Sequence, residues 1–237
     1  MRASCRSKRS PESDVSVADN LDRVKQQIAD ACARAGRERS SVTLIAVSKS
    51  FPFASIAEAA ACGHRQFGEN RVQEGLAKIG QTSELESEVD IHLIGHLQRN
   101  KARHAGSFAS VQSVDSIRLA EAISRRLDRE LPILLEVNVG REASKNGFLI
   151  EDVEAAHKQI RGLPNLRVDG LMTVAPEVAD PEDVRPVFDA LRRQAEQLGL
   201  HVLSMGMTND YAVAIEEGST MVRIGRAIFG DRPEAGG

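Results

Sequence analysis

The feature that most constrains this chain is a rhythm. From residue 42 onward, short strand-like runs alternate with segments whose apolar residues recur at three- and four-residue steps. The strand-like runs are VTLIAVSK, HRQFGE, IHLIGH, SVQSVD, PILLEVNV, LRVDGLMTV, HVLSMGM and TMVRIG. Helical periodicity is clearest over 117–129 and 183–198, where Val184, Val187, Phe188, Leu191, Ala195 and Leu198 share one face. Such alternation with short connections implies parallel strands joined by right-handed crossovers, and eight is the number that closes a barrel. A doubly wound open sheet is the competing fold, but it ordinarily carries a GxGxxG turn after its first strand. Here the first strand runs instead into Ser48-Lys49-Ser50-Phe51-Pro52.

The expectation is therefore a single-domain (β/α)₈ TIM barrel over 19–237 with an extra N-terminal helix. That helix has Leu21, Val24, Ile28, Cys32 and Ala35 on one side, Asp19 or Asn20 as its cap, and Gly36 at its end. Residues 1–18, basic and Ser-rich without an apolar stretch, read as a disordered leader.

Composition narrows the partners. With no Trp, one Tyr and seven Phe, the chain offers little to stack on nucleic-acid bases, and a net charge of −3 gives no broad attraction to phosphate backbones or acidic membranes. No apolar run approaches the length needed to span a bilayer. Cys5, Cys32 and Cys62 are too few and scattered for a disulfide framework or zinc knuckle, and read as reduced thiols in a cytosolic protein. His92, His104, His157 and His201 lack metal-ligand spacing, so no metal is expected.

In such a barrel, active sites lie where the strands end. That rule selects Lys49, Glu69 and Asn70, His96, Asp115, Asn138, Thr173, Met207 and Thr208, and Arg223-Ile224-Gly225. Lys49 would place an amine in a partly dry mouth, where desolvation favours the neutral form that attacks an aldehyde. A strand-end lysine can equally lie along the surface with its head in water. Phosphate in these barrels commonly sits at the loops after the last two strands. Thr208 supplies a hydroxyl there, Gly225 permits close backbone approach, and Arg223 has a fork that matches phosphate oxygens. Asn70 fits two roles, a donor in the mouth or the cap of a helix over 71–81. His96 reads more readily as a capping or packing residue than as an acid or base.

Taken in order, AVSKSFP, FGENRVQE, HLIGHLQRNK, LLEVNVGREASKNGF, GLMTVAP, LSMGMTND and GSTMVRIGRAIFG resemble the motifs of the YggS/PROSC-type pyridoxal phosphate homeostasis proteins. The resemblance runs from about Asn20 to Arg232. It implies a barrel like the N-terminal domain of alanine racemase, with pyridoxal 5′-phosphate (PLP) held as a Schiff base on Lys49. It further implies Asn70 near the pyridine ring, and Met207, Thr208, Arg223, Ile224 and Gly225 around the phosphate. Thr208 stands where the family pattern has serine; the hydroxyl is kept. The implied role is cytoplasmic PLP homeostasis without established turnover, acting as a carrier to apo-enzymes, in a monomer or weak dimer. A small PLP-dependent enzyme such as an amino-acid racemase is the alternative. Two-base racemisation needs an acid or base on each face of the cofactor, and Tyr211 is the chain's one tyrosine. A barrel for another phosphorylated metabolite is a third reading.

Overall fold

The computed structural model describes residues 16–230, and the leader proposed for 1–18 lies almost wholly outside them. The chain enters through α1 (Val17–Arg34) and then lays down β1 (Thr43–Val47), α2 (Phe53–Ala61), β2 (Gln66–Glu69) and α3 (Val72–Ile79). After β3 (Asp90–Leu93) the return is a 3-10 path, Arg99–Ser107, rather than an α-helix. There follow β4 (Val111–Val114), α4 (Ile117–Ser124), β5 (Leu131–Glu136), α5 (Val153–Ile160), β6 (Leu166–Met172) and α6 (Arg185–Leu198). The chain then forms β7 (Val202–Ser204), α7 (Tyr211–Glu216), β8 (Met221–Ile224) and α8 (Arg226–Phe229).

The eight strands form a closed parallel barrel in sequence order, so the (β/α)₈ expectation is met. The seam is the β8–β1 pairing, in register at Thr43↔Met221 through Ala46↔Ile224. Strand alternation sends Leu44, Ala46, Val222 and Ile224 outward into the apolar layer beneath the helices. The opposite set points inward. A Cβ on Gly68 would lie 2.9 Å from both Ile45 Cγ2 and Ile94 Cδ1, so glycine is what lets these side chains fill the lumen. Part of the lumen is polar: Ser204 Oγ donates to Gln112 Oε1 at 2.7 Å, and Arg223 Nη1 donates to Ser204 Oγ at 2.7 Å.

Three element ends differ from expectation. α1 begins at Val17 with Ser16 as cap, its hydroxyl accepting from the Asp19 amide at 3.1 Å, in place of Asp19 or Asn20. Asn20 instead uses its side chain to donate to the Ile228 carbonyl, tying α1 to α8 at 3.1 Å. α4 stops at Ser124 rather than Arg129 because the chain tightens there, with Arg126 N bonded to Ile123 O and Leu127 N to Ser124 O. The segment 183–198 opens as a 3-10 turn, Pro181–Val184, before α6 takes over with Pro186 in its first turn, where a missing N–H costs nothing. Among the described residues, Cys32 is buried, Cys62 partly exposed, and both are unpaired. No helix of these residues is long and apolar enough to cross a membrane.

Candidate functional site

The mouth of the barrel holds a cavity of about 580 Å³ at the C-terminal ends of the strands. Val47, Lys49 and Phe51 line it from β1, Asn70 from β2 and Ile94 from β3. Met207 to Asp210 line it after β7, and Arg223, Gly225 and Arg226 at the end of β8. Of the residues singled out from sequence, Lys49, Asn70, Met207, Thr208, Arg223 and Gly225 thus share one space. Ile224 does not line it: strand alternation turns its side chain away, fully buried in the layer under the helices.

Asn70 is not the helix cap. α3 starts one residue later on Arg71, without a side-chain cap bond, and Asn70 is left facing the cavity. Lys49 is half-buried and follows Ser48, which still belongs to the ladder through its amide to the Gly68 carbonyl at 3.1 Å. The next residue, Ser50, takes φ = 67°, a left-handed conformation that costs a non-glycine residue energy and turns the chain sharply off the strand.

Arg223 is the most deeply committed group. It is 4% exposed, with Nη1 on Ser204 Oγ at 2.7 Å and Nη2 on the Thr173 carbonyl at 2.8 Å. Burial lowers its pKa to about 10, against the pull of Asp210 and Glu136, so it stays charged at neutral pH. Asp210 folds back to accept from the Met207 amide at 2.6 Å, and burial raises its pKa despite that bond. Gly206 ahead of this turn has φ = 95°, and a Cβ there would sit 2.6 Å from Ala214 Cβ.

The far wall was not foreseen from sequence. It is built by Glu142 and Lys145 after β5 and by Val174 to Val178 and Pro181 after β6. Lys145 ties the two loops together, donating to the Val174 and Ala175 carbonyls at 3.2 and 3.0 Å and pairing with Glu142 at 2.5 Å. Asn138 arranges the first loop by exchanging hydrogen bonds with the Glu142 backbone at 2.9 and 3.0 Å. Thr173 is buried, its hydroxyl on the Val137 carbonyl at 2.7 Å. His96 and Asp115 pair at 3.0 Å over a separate shallow depression, outside the main cavity. Tyr211 points the other way, its hydroxyl donating to Gln27 on α1 at 3.1 Å. No group of three or more potential metal ligands occurs among the described residues.

Residues 20–233 match the family model described as alanine racemase, N-terminal domain. Among relatives, the chain is 41% identical over 228 residues to a pyridoxal phosphate homeostasis protein of Aquifex aeolicus, covering 92% of this chain and 99% of that one. Among solved structures it is similar to PipY of Synechococcus elongatus with PLP bound (35% identical, TM-score 0.80, 91% of this chain and 100% of that one). Alanine racemase of Corynebacterium glutamicum shares the fold at TM-score 0.67 and 20% identity, with 62% of its length matched. Sequence, fold and the placement of the cavity agree that this chain belongs to the alanine racemase N-terminal domain family, within the group of the pyridoxal phosphate homeostasis proteins.

Proposed function

We propose that this chain binds PLP in the barrel mouth, anchored to Lys49, and serves intracellular PLP homeostasis as a carrier. The observation that carries the reading is the meeting of one half-buried lysine with the β7 and β8 loops in a single cavity. The cavity's chemistry suits the group: an amine for the aldehyde, backbone and the Thr208 hydroxyl for the phosphate, and the Asn70 amide for the ring hydroxyl. When bound, the cofactor supplies an aldehyde carbon that condenses reversibly with an amine, releasing water.

The chain's own residues divide that work. Lys49 supplies the amine of the Schiff base. Asn70 orients the ring side, and Met207, Thr208 and Gly225 border the phosphate end. Arg223, already bonded to Ser204 and Thr173, lies deeper in the wall than those loops and acts as a buried positive charge beside the ligand. Its part at the phosphate is electrostatic, and the direct contacts fall to the loops.

A carrier fits better than a racemase. The one tyrosine faces α1, and Lys145, the other amine on the cavity, is held by two carbonyls and Glu142. Release to an apo-enzyme follows from exchange of Lys49 for an incoming amine. A monomer or weak dimer suffices for such a role.

Borohydride reduction of the PLP-loaded protein followed by peptide mapping should place the pyridoxyl group on Lys49; labelling of Lys101 or Lys145 instead overturns the assignment. The carrier role is tested by comparing α-proton exchange of alanine in deuterated water with reactivation of an apo-transaminase. Slow exchange with reactivation faster than free release is expected. Fast exchange abolished by Lys49→Ala restores the enzyme reading.

A further inference from the structure

On the outer side of the first two strands lies a buried charged cluster that the cavity does not include. The alternation that aims Val47 at the cavity and Gly68 at the lumen turns Ser48 and Glu69 outward, toward α3. There Ser48 Oγ donates to Glu69 Oε1 at 2.6 Å, and both residues are fully buried. Lys78 on α3, 5% exposed, uses all three of its donors in the same place. It donates to Glu69 Oε1 at 2.6 Å, to the Ser48 carbonyl at 2.8 Å and to Glu74 Oε1 at 2.9 Å. Glu74 Oε1 also accepts from the Ser50 amide at 2.5 Å.

The cluster therefore grips the residue before Lys49 by its carbonyl and hydroxyl, and the residue after it by its amide. It holds Ser50 in its left-handed conformation, which an unsupported serine would leave. Buried ion pairs give little net stability compared with apolar packing of the same volume, so stability alone is a weak reason for one here. Fixed geometry is a better one.

We infer that Ser48, Glu69, Glu74 and Lys78 are positioning residues that aim the Lys49 amine into the cavity. The inference rests on the PLP reading for its covalent readout, and on the backbone geometry for an independent one. Glu74 is the best handle, because its side chain is 23% exposed and its loss leaves Glu69 paired with Lys78. Lys78→Met would strand a buried carboxylate and is the variant most prone to unfold.

Three proteins are compared: the unaltered chain, Glu74→Ala and Glu74→Gln, the last retaining an acceptor for the Ser50 amide. Two ligands are titrated, PLP and pyridoxine 5′-phosphate, whose alcohol cannot form a carbon–nitrogen double bond. Hydrogen exchange of the peptide containing residues 48–51 is followed without ligand. Glu74→Ala should lose PLP affinity by about tenfold, the equivalent of one charge-assisted contact, with unchanged pyridoxine phosphate affinity and faster exchange at Ser50. Glu74→Gln should recover most of both. Parallel loss for the two ligands, no loss for either, or no rescue by glutamine overturns the positioning role. If the unaltered chain forms no covalent link at Lys49, it is the PLP reading that fails. Hydrogen exchange then judges the clamp by itself, and unchanged exchange in Glu74→Ala overturns it.

Discussion

A guanidinium with almost no exposed surface must be satisfied by the protein, and Arg223 is satisfied by two neighbouring strands at once. One bond reaches Ser204 at the end of β7 and the other the carbonyl that follows β6. Arg223→Gln should therefore do two things. It should weaken PLP retention by roughly tenfold, as loss of one buried, poorly screened charge beside the ligand does. It should also cost about 2–4 kcal/mol of stability, because strand stitching and the balance against Asp210 and Glu136 go with it. Denaturant titration checks the second effect, and an unchanged midpoint would refute it. Glu136 shows the complementary case. Burial, helped by Asp115, raises its pKa from 4.5 to about 7 against the pull of Arg223 and His96. Between those values the folded chain keeps a proton that the unfolded chain has released, so stability falls as pH rises through the window. Glu136→Gln should then be more stable at pH 8 by about 1–2 kcal/mol, allowing for partial exposure, and nearly unchanged near pH 4. Denaturation midpoints at the two pH values decide it.

At the scale of elements, the cavity has one rim built on strand ends and another built on two loops. The β1, β7 and β8 side stands on strand ends and the buried cluster beneath Lys49, whereas the β5 and β6 loops are joined by Lys145 and shaped by Asn138. Asn138→Ala should loosen that tie, speed PLP dissociation several-fold and cost about 1–2 kcal/mol, the usual consequence of stranding loop backbone groups. Stopped-flow transfer to an apo-enzyme acceptor reads the rate, and an unaltered rate would mean that the loops do not gate release. The same contrast explains what could be read from sequence. Seven strands were legible as short runs containing β-branched residues and β2, which has none, from its place in the alternation; strand ends then pointed to Lys49, Asn70, Thr208 and Gly225. The far wall was not legible, because Lys145, Glu142 and Val174 to Val178 are placed by hydrogen bonds between loops distant in sequence. The side chain of Ile224 lies off the cavity for a local reason: next to two cavity residues in the chain, it faces the other side of the sheet. The buried cluster was half-visible, since Glu69 was marked as a strand end while its partner on α3 carried no local signal.

Across the whole molecule, acid should be the sharper threat. His92 is buried with Nδ1 against Ser110 Oγ at 2.7 Å and Nε2 against Gln66 Oε1 at 2.8 Å, and the Gln66 amide is fixed by Asp90 at 2.7 Å. That network places a proton on Nε2, which donates to Gln66 Oε1, and leaves Nδ1 facing a hydroxyl that can donate to it. Burial lowers both His92 and His64 from 6.5 to about 4. Below pH 6.5 the unfolded chain takes up protons that the folded chain refuses, so stability declines until about pH 4, by up to about 3 kcal/mol per histidine. Glu136 works in the opposite sense over part of this range, so the comparison belongs in the Glu136→Gln background. There, replacing His92 by Gln should flatten the fall in urea midpoint between pH 7 and pH 5; an unchanged slope would remove His92 from the account.

The seam between β8 and β1 has a further consequence for how the chain comes off the ribosome. Lys49 follows the first barrel strand, whereas Arg223 and Gly225 belong to the end of the last, and α1 docks on α7 and α8 through Asn20 and Tyr211. A growing chain therefore carries Lys49, the proposed anchor, long before it has a pocket to put it in. The final strand must pair with the first, across the largest sequence separation in the barrel, before the ligand's surroundings exist. Retention of a ligand in the mouth would thus report closure of the barrel: a half-folded chain exposes a lysine like any other, and only the closed ring can surround what that lysine picks up.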